Sequence, residues 1–214
     1  LAHDLQGALR PLAGTPPPYE VRVHRRYNPE GLSRFNIVPG LIGTILTMTM
    51  IMFTGLAMTR ERERGTMENL LATPVRPAEV MLGKIAPYVV IGYVQLMVIL
   101  GAARVLFAVP MVGSRPLLGA MIGVFIVANL AVGFTFSTLA RNQLQAVQMT
   151  LFFFLPSMLL SGFMFPFAGM PRWAHWIGEV LPLTHFLRIV RGIMLKGSTL
   201  AELLPELWAL LAFT

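Results

Sequence analysis

The residues best placed to do chemistry lie in one segment, RERERGTMENLLATPVRP, from Arg60 to Pro77. Arg60, Glu61, Arg62, Glu63 and Arg64 alternate in sign. On a helix Glu61 faces Arg64 at i,i+3 and Arg60 faces Glu63, so the run predicts a self-compensated polar helix end. Gly65 interrupts it. Thr66 can cap a second short helix by accepting a backbone N–H. Met67, Leu70 and Leu71 then share one face, and Thr73-Pro74 ends the turn. An amphipathic helix of this kind, held near a membrane by flanking spans, is a docking surface for a partner. The plainer reading is a solvated loop with helical ends.

Other chemistry is missing from the motifs. No G-x-x-x-x-G-K-[ST] is present, and Gly83-Lys84 lacks both the earlier glycine and the following hydroxyl. ATP, where it is used, is therefore expected on another chain. No H-E-x-x-H or G-x-S-x-G occurs, and Cys is absent, which excludes disulfides and thiolate chemistry. His175 and His185 stand too far apart for a spaced metal motif and are expected at the interface, with no metal site and no catalytic residue.

The elements that must carry the charged segment are apolar. Hydrophobic residues make up 55% of the 214 and charged residues 13%, about half the share of a soluble domain. Four runs hold almost no charge: 37–58, 85–109 (with Arg104 alone), 117–140 and 144–165. Each has the roughly 20 residues a helix needs to cross about 30 Å of hydrocarbon. A fifth run, 203–214, is too short to span and reads as an incomplete helix. Residues 1–36 read as the end of a polar segment, with a Pro-rich stretch, a short strand over Tyr19–His24 and a turn at Asn28-Pro29. The fold class is thus all-α, a polytopic transmembrane helical protein. The net charge of +7 is assigned to membrane lipid headgroups, not to nucleic acid. Basic residues fall on both sides of the spans, so the charge bias does not set the topology.

After Phe165 the pattern changes. Residues 166–196 mix Trp173 and Trp176, two histidines and four basic residues with Leu, Ile and Val. That predicts a pair of short interfacial or re-entrant helices broken at Pro182, with the tryptophans in the aromatic belt. Inside the spans, Gly119 and Gly123 form a G-x-x-x-G pair that permits close helix approach, and Pro156 predicts a kink. Asn129, Gln145 and Gln148 either line a path or bond between helices. Arg104 sits near a helix end, where it can snorkel or gate. No Asp or Glu lies within the four complete runs, which argues against an ion-coupled carrier.

The Arg60–Pro77 segment resembles the cytoplasmic signature of the type-2 ABC-transporter permease family, ERE-x-GT-x-E-x-L-x-x-TPV. Glu61, Glu63, Gly65, Thr66, Glu68, Leu70, Thr73, Pro74 and Val75 match it. RYNPEG before a Pro-Gly-led span, LSGFMFP (Leu160–Pro166), then Met170, Pro171 and Trp173, then LPLTHFLRIVRGIMLKG (Leu181–Gly197) match in the family's order. PFAG before Met170 is apolar where relatives often carry a polar residue.

The resemblance implies a permease subunit of an ATP-driven exporter of drug-like or lipophilic substrates. It is most similar to the bacterial drug-efflux type, a multi-pass protein of the bacterial inner membrane. Its implied partners are an ABC ATP-binding subunit, which holds ATP and Mg, and a second permease copy or paralogue. Coupling to the ATPase is expected at Glu61, Glu63, Gly65, Thr66, Glu68, Leu70, Leu71, Thr73 and Pro74. An extracytoplasmic gate is expected at Ser161, Gly162, Pro166, Pro171, Trp173, Pro182, Arg191 and Gly192. Residues 1–36 would end an extracytoplasmic segment and 37–214 would form the transmembrane domain, with one span and most of an outer domain lying upstream. The competing readings are a gradient-driven secondary transporter or channel, and a membrane enzyme or anchor.

Overall fold

The computed structural model describes residues 34–65, 77–107 and 111–214. The expected strand at Tyr19–His24, its following turn and the short helix from Thr66 lie outside them. The described chain forms seven α-helices: α1 (Arg34–Glu63), α2 (Pro77–Phe107), α3 (Arg115–Leu139), α4 (Gln143–Leu160), α5 (Arg172–Val180), α6 (Pro182–Arg191) and α7 (Leu200–Leu211). A 3-10 turn covers Phe167–Gly169, and a π-helical turn, Gly192–Lys196, extends α6. No strand occurs among the described residues. The protein is all-α.

Four helices are long and apolar enough to cross a membrane: Ile37–Glu63, Gly83–Leu106, Arg115–Leu139 and Gln143–Leu160. They run up and down with short connections between α3 and α4. α1 and α3 are the inner pair. About half of their most apolar stretches is buried (56% and 50%), against 17% for α2 and α4. The outer faces of α2 and α4 instead expose Val98, Val105 and Phe152, side chains that lipid solvates without cost.

Ile42, Leu46 and Met50 of α1 meet Ile122, Phe125 and Ile126 of α3 in a fully buried core that continues into Leu183 and Phe186 of α6. The rings of Phe125 and Phe186 stack with centroids 3.8 Å apart and planes 7° from parallel. The buried threonines of α1 are satisfied within their own helix, as hydrocarbon requires. Thr44 donates to Gly40 O at 3.0 Å, Thr47 to Gly43 O at 2.8 Å and Thr54 to Met50 O at 2.9 Å. Within the apolar region Thr49 of α1 also donates across to Gln95 of α2 at 2.9 Å, and Tyr93 of α2 donates to the Gly119 carbonyl of α3 at 3.2 Å.

Two helix ends have clear causes. The apolar run to Phe165 does not continue as helix beyond Leu160, because Ser161 caps α4 and Gly162 takes φ 78°, a left-handed conformation that a side chain disfavours. Pro182 forces Leu181 into an extended conformation (φ −75°, ψ 132°), as a residue before proline must be. That break separates α5 from α6. Through it α6 folds back to bury Leu183, Phe186, Leu187 and Val190.

Candidate functional site

The two ends of the bundle hold the polar side chains. At the end where α1 stops, Lys84 of α2 pairs with Glu61, and the Glu63 carboxylate accepts from Gln143 of α4. The Gln143 backbone N–H donates to it at 2.8 Å and the side-chain amide makes a second bond. Arg62 Nη1 donates to the carbonyls of Thr138 at 3.3 Å and Ala140 at 3.2 Å. Those carbonyls lie at the C-terminal end of α3, where no intrahelical donor remains, and a cation suits the negative dipole end. A carboxylate at the first residue of α4 likewise suits the positive end. Three successive residues of α1 therefore each hold a different neighbouring helix.

This differs from the self-compensated helix end that the alternating charges predict. Glu61 and Glu63 find partners on α2 and α4, and Arg62 finds one on α3. Gly65, just past the end of α1, takes φ 70°, a left-handed conformation that glycine adopts freely. Thr66, Glu68, Leu70, Leu71, Thr73 and Pro74 lie outside the described residues.

At the opposite end, the expected gate residues fall around the α4–α5–α6 junction. Ser161 is buried at the α4 cap, and Gly162 offers its carbonyl to both terminal nitrogens of Arg191, each 3.4 Å away. Burial pushes the Arg191 guanidinium below its ordinary value, and its Nε has no partner among the described residues. Pro166 leads the 3-10 turn, Pro171 leads α5, and Gly192 opens the π turn against Leu203 of α7. Trp173 and Trp176 point outward, 65% and 77% exposed.

The same junction holds a charge cluster that sequence reading missed. Arg188 of α6 donates to both carboxylate oxygens of Glu179 on α5 and, at 3.4 Å, to Glu206 of α7. Its guanidinium also lies 5.3 Å from the centre of the Phe167 ring. Hydrogen bonding from Arg188 holds the Glu179 carboxyl below its usual range, against the opposing effect of burial. The bond to Glu179 in turn raises the Arg188 guanidinium. His185 is enclosed in this cluster. Its Nδ1 meets Glu206 and its Nε2 lies 2.7 Å from the Glu179 carbonyl, with 12% of the side chain exposed. Arg188 and His185 lie three apart on α6, a spacing that puts both on one face. That was the available signal.

Other expectations resolve individually. Asn129 bonds within α3, to the Phe125 carbonyl at 2.7 Å, and Gln145 accepts from the Arg141 N–H at 2.8 Å. Neither bridges helices. Of the G-x-x-x-G pair, Gly123 faces the Tyr93 hydroxyl closely, whereas a Cβ on Gly119 would meet nothing within 4 Å. The α1 and α3 backbones approach closely at Gly133, where a Cβ would stand 2.8 Å from the Ile51 carbonyl. Among the described residues no group of three His, Asp or Glu is placed to hold a metal.

Four apolar helices capped at each end by polar clusters define a polytopic membrane protein. The chain belongs to the ABC-2 type transporter family, which it matches over residues 21–195. It is 32% identical over 197 residues to the probable multidrug ABC transporter permease YbhS of Escherichia coli K12, covering 92% of this chain and 52% of that one. Against the probable multidrug ABC transporter permease YbhR of the same organism, identity is 31% over 205 residues, covering 95% and 56%. The E. coli inner membrane transport permease YhhJ is 31% identical over 207 residues, covering 92% and 53%. The chain thus spans about half the length of the curated relatives it matches. No solved structure matches it.

Proposed function

We propose that this chain is the membrane-spanning part of a permease subunit of an ATP-driven ABC exporter in the bacterial inner membrane. It moves a drug-like or lipophilic substrate by alternating access. ATP and Mg are held by a separate ATPase subunit, and a second permease copy or paralogue completes the pathway. The segment Thr66–Pro74 docks the ATPase, through Glu68 and the apolar pair Leu70 and Leu71.

The observation that carries this reading is the three-way attachment at the end of α1. A push on the segment after Gly65 reaches Arg62 and Glu63 first. From there it passes to α3 through Thr138 and Ala140, to α4 through Gln143, and to α2 through the Glu61–Lys84 pair. Short polar contacts to three helices convert a local displacement into a movement of the bundle, which a solvated loop would absorb. The names of the relatives, multidrug and inner-membrane transport permeases, support the substrate class and location.

The test is purification of the full-length protein in mild detergent, asking whether a nucleotide-binding subunit accompanies it. Stoichiometric retention, lost in Leu70→Asp while the permease still inserts, is the expected result. If no ATPase is retained where a known permease keeps its own, gradient-driven transport replaces this reading.

A further inference from the structure

A cavity of about 720 Å³ opens between α2, α3 and the π turn, within the size range of small-ligand sites. Leu96, Met97 and Leu100 of α2, Leu118 of α3 and Met194 of the π turn make its walls apolar. Two arginines also line it: Arg104 in the last turn of α2 and Arg115 at the start of α3. No carboxylate shares the lining, and neither arginine has a hydrogen bond or ion pair with any described residue. The cavity thus carries two positive charges, one from each helix, and an anion bound there takes charge-assisted hydrogen bonds from them.

The glycines of the wall sharpen the case. A Cβ added to Gly101 or to Gly119 would meet nothing within 4 Å. Both therefore present bare helix backbone to open space. Gly119, which by spacing alone belongs to a helix-packing motif, serves the cavity here.

The lining is polarised along the spans. The arginines stand at the helix ends, and the Leu and Met side chains run from there toward the middle of α2. Next to the cavity, α2 exposes Val94, Met97 and Val98, with 59%, 68% and 67% of their surface free, so the cavity borders a lipid-facing surface. We infer that it binds an anionic phospholipid, its phosphate headgroup held by Arg104 and Arg115 and an acyl chain laid along Leu96, Leu100 and Gly119. An aqueous anion has no use for the apolar wall. A neutral apolar ligand leaves the two arginines uncompensated. The site does not depend on the transport reading.

The test uses the full-length protein, delipidated in a neutral detergent. It is titrated separately with dioleoyl phosphatidylglycerol and dioleoyl phosphatidylcholine, and bound lipid is counted by native mass spectrometry. Phosphatidylglycerol should bind tighter on the order of ten-fold, as expected for two arginines near a headgroup. Arg104→Gln with Arg115→Gln should erase that preference. Gly119→Phe, which fills the cavity and keeps both charges, should weaken both lipids; Gly101→Leu is the substitute should Gly119→Phe fail to fold. Equal binding of the two lipids overturns the anion assignment. Unchanged binding in the cavity-filling variants reduces it to general attraction at the membrane surface, or to a cavity already covered by another part of the full chain. Competition by glycerol phosphate at equal concentration would mean a free phosphate site instead of a lipid site.

Discussion

Arg188 of α6 forks onto Glu179 of α5, its Nη1 2.8 Å from Glu179 Oε2, and the same nitrogen lies 3.4 Å from Glu206 of α7. One guanidinium thus gathers three short helices at the end of the bundle where Gly162 and Arg191 also meet. His185 braces the same pair from the other side, its two ring nitrogens meeting the Glu206 carboxylate and the Glu179 carbonyl. Replacing an exposed ion pair changes little. This cluster differs because four side chains share partners across three elements, and networks of this kind are lost together.

Acid should therefore loosen the junction. The Glu179 carboxyl is held below its ordinary value of 4.5, chiefly by hydrogen bonding from Arg188. A depressed carboxyl contributes stability that is fully present above its unfolded value and is lost as pH falls through its folded value. Hydrogen exchange in α5 and α6 should be constant well above 4.5 and accelerate below it. In Glu179→Gln that acid dependence should vanish while slower exchange is lost at neutral pH. Emission from Trp173 and Trp176, both on α5, offers a second readout, and a flat acid response in the native protein would refute the prediction.

Gly133 of α3 packs directly against the α1 backbone and should tolerate nothing larger. A Cβ there would lie 2.8 Å from the Ile51 carbonyl, 3.0 Å from its Cα and 3.0 Å from Thr54 Cβ. Because backbone cannot step aside as a flexible side chain does, Gly133→Ala should lower stability by roughly 1–3 kcal/mol. Gly83→Ala on α2 is the control, since its Cβ meets nothing within 4 Å and alanine favours a helix interior by about 0.5–1 kcal/mol. Thermal melting of the detergent-solubilised protein should separate the two in opposite directions.

The helices were legible and their partners were not. Apolar runs of span length mark α1 to α4, and Pro182 marks the break between α5 and α6, because both depend on neighbours along the chain. Glu63 and Gln143 lie 80 residues apart; local spacing offers Glu63 only Arg60 and its neighbours. The roles of Gly119 and Gly133 were hidden for the same reason. A small residue announces that something approaches, without saying whether it is a helix, a tyrosine or a cavity. The end of α4 needed the conformation of Gly162, which glycine permits but does not dictate.

Asn129 is buried in α3, donates to the Phe125 carbonyl at 2.7 Å, and leaves its Oδ1 without a partner among the described residues. A buried acceptor left unpaired costs about 1–3 kcal/mol, more than a typical net hydrogen bond returns. Asn129→Leu should thus melt at the same temperature as the native protein or higher. Marked destabilisation of the full-length protein would mean that Oδ1 takes a hydrogen bond from a segment or copy outside these residues.

The transmission route proposed at the end of α1 makes the sharpest functional prediction. Arg62 and Gln143 tie α1 to α3 and α4, yet neither belongs to the Thr66–Pro74 segment proposed to dock the ATPase. Arg62→Ala and Gln143→Ala should leave ATPase retention unchanged and weaken the link between ATP hydrolysis and substrate movement. Couplings between distant sites typically amount to 5–150-fold, so substrate-stimulated ATPase activity and transport should each fall by roughly five-fold or more. Leu70→Asp should instead lose the ATPase altogether. Loss of the ATPase in Gln143→Ala would put the α4 end inside the docking surface. Full transport in both alanine variants would mean that motion enters the bundle by another path, with the contacts of Arg62 and Glu63 serving stability alone.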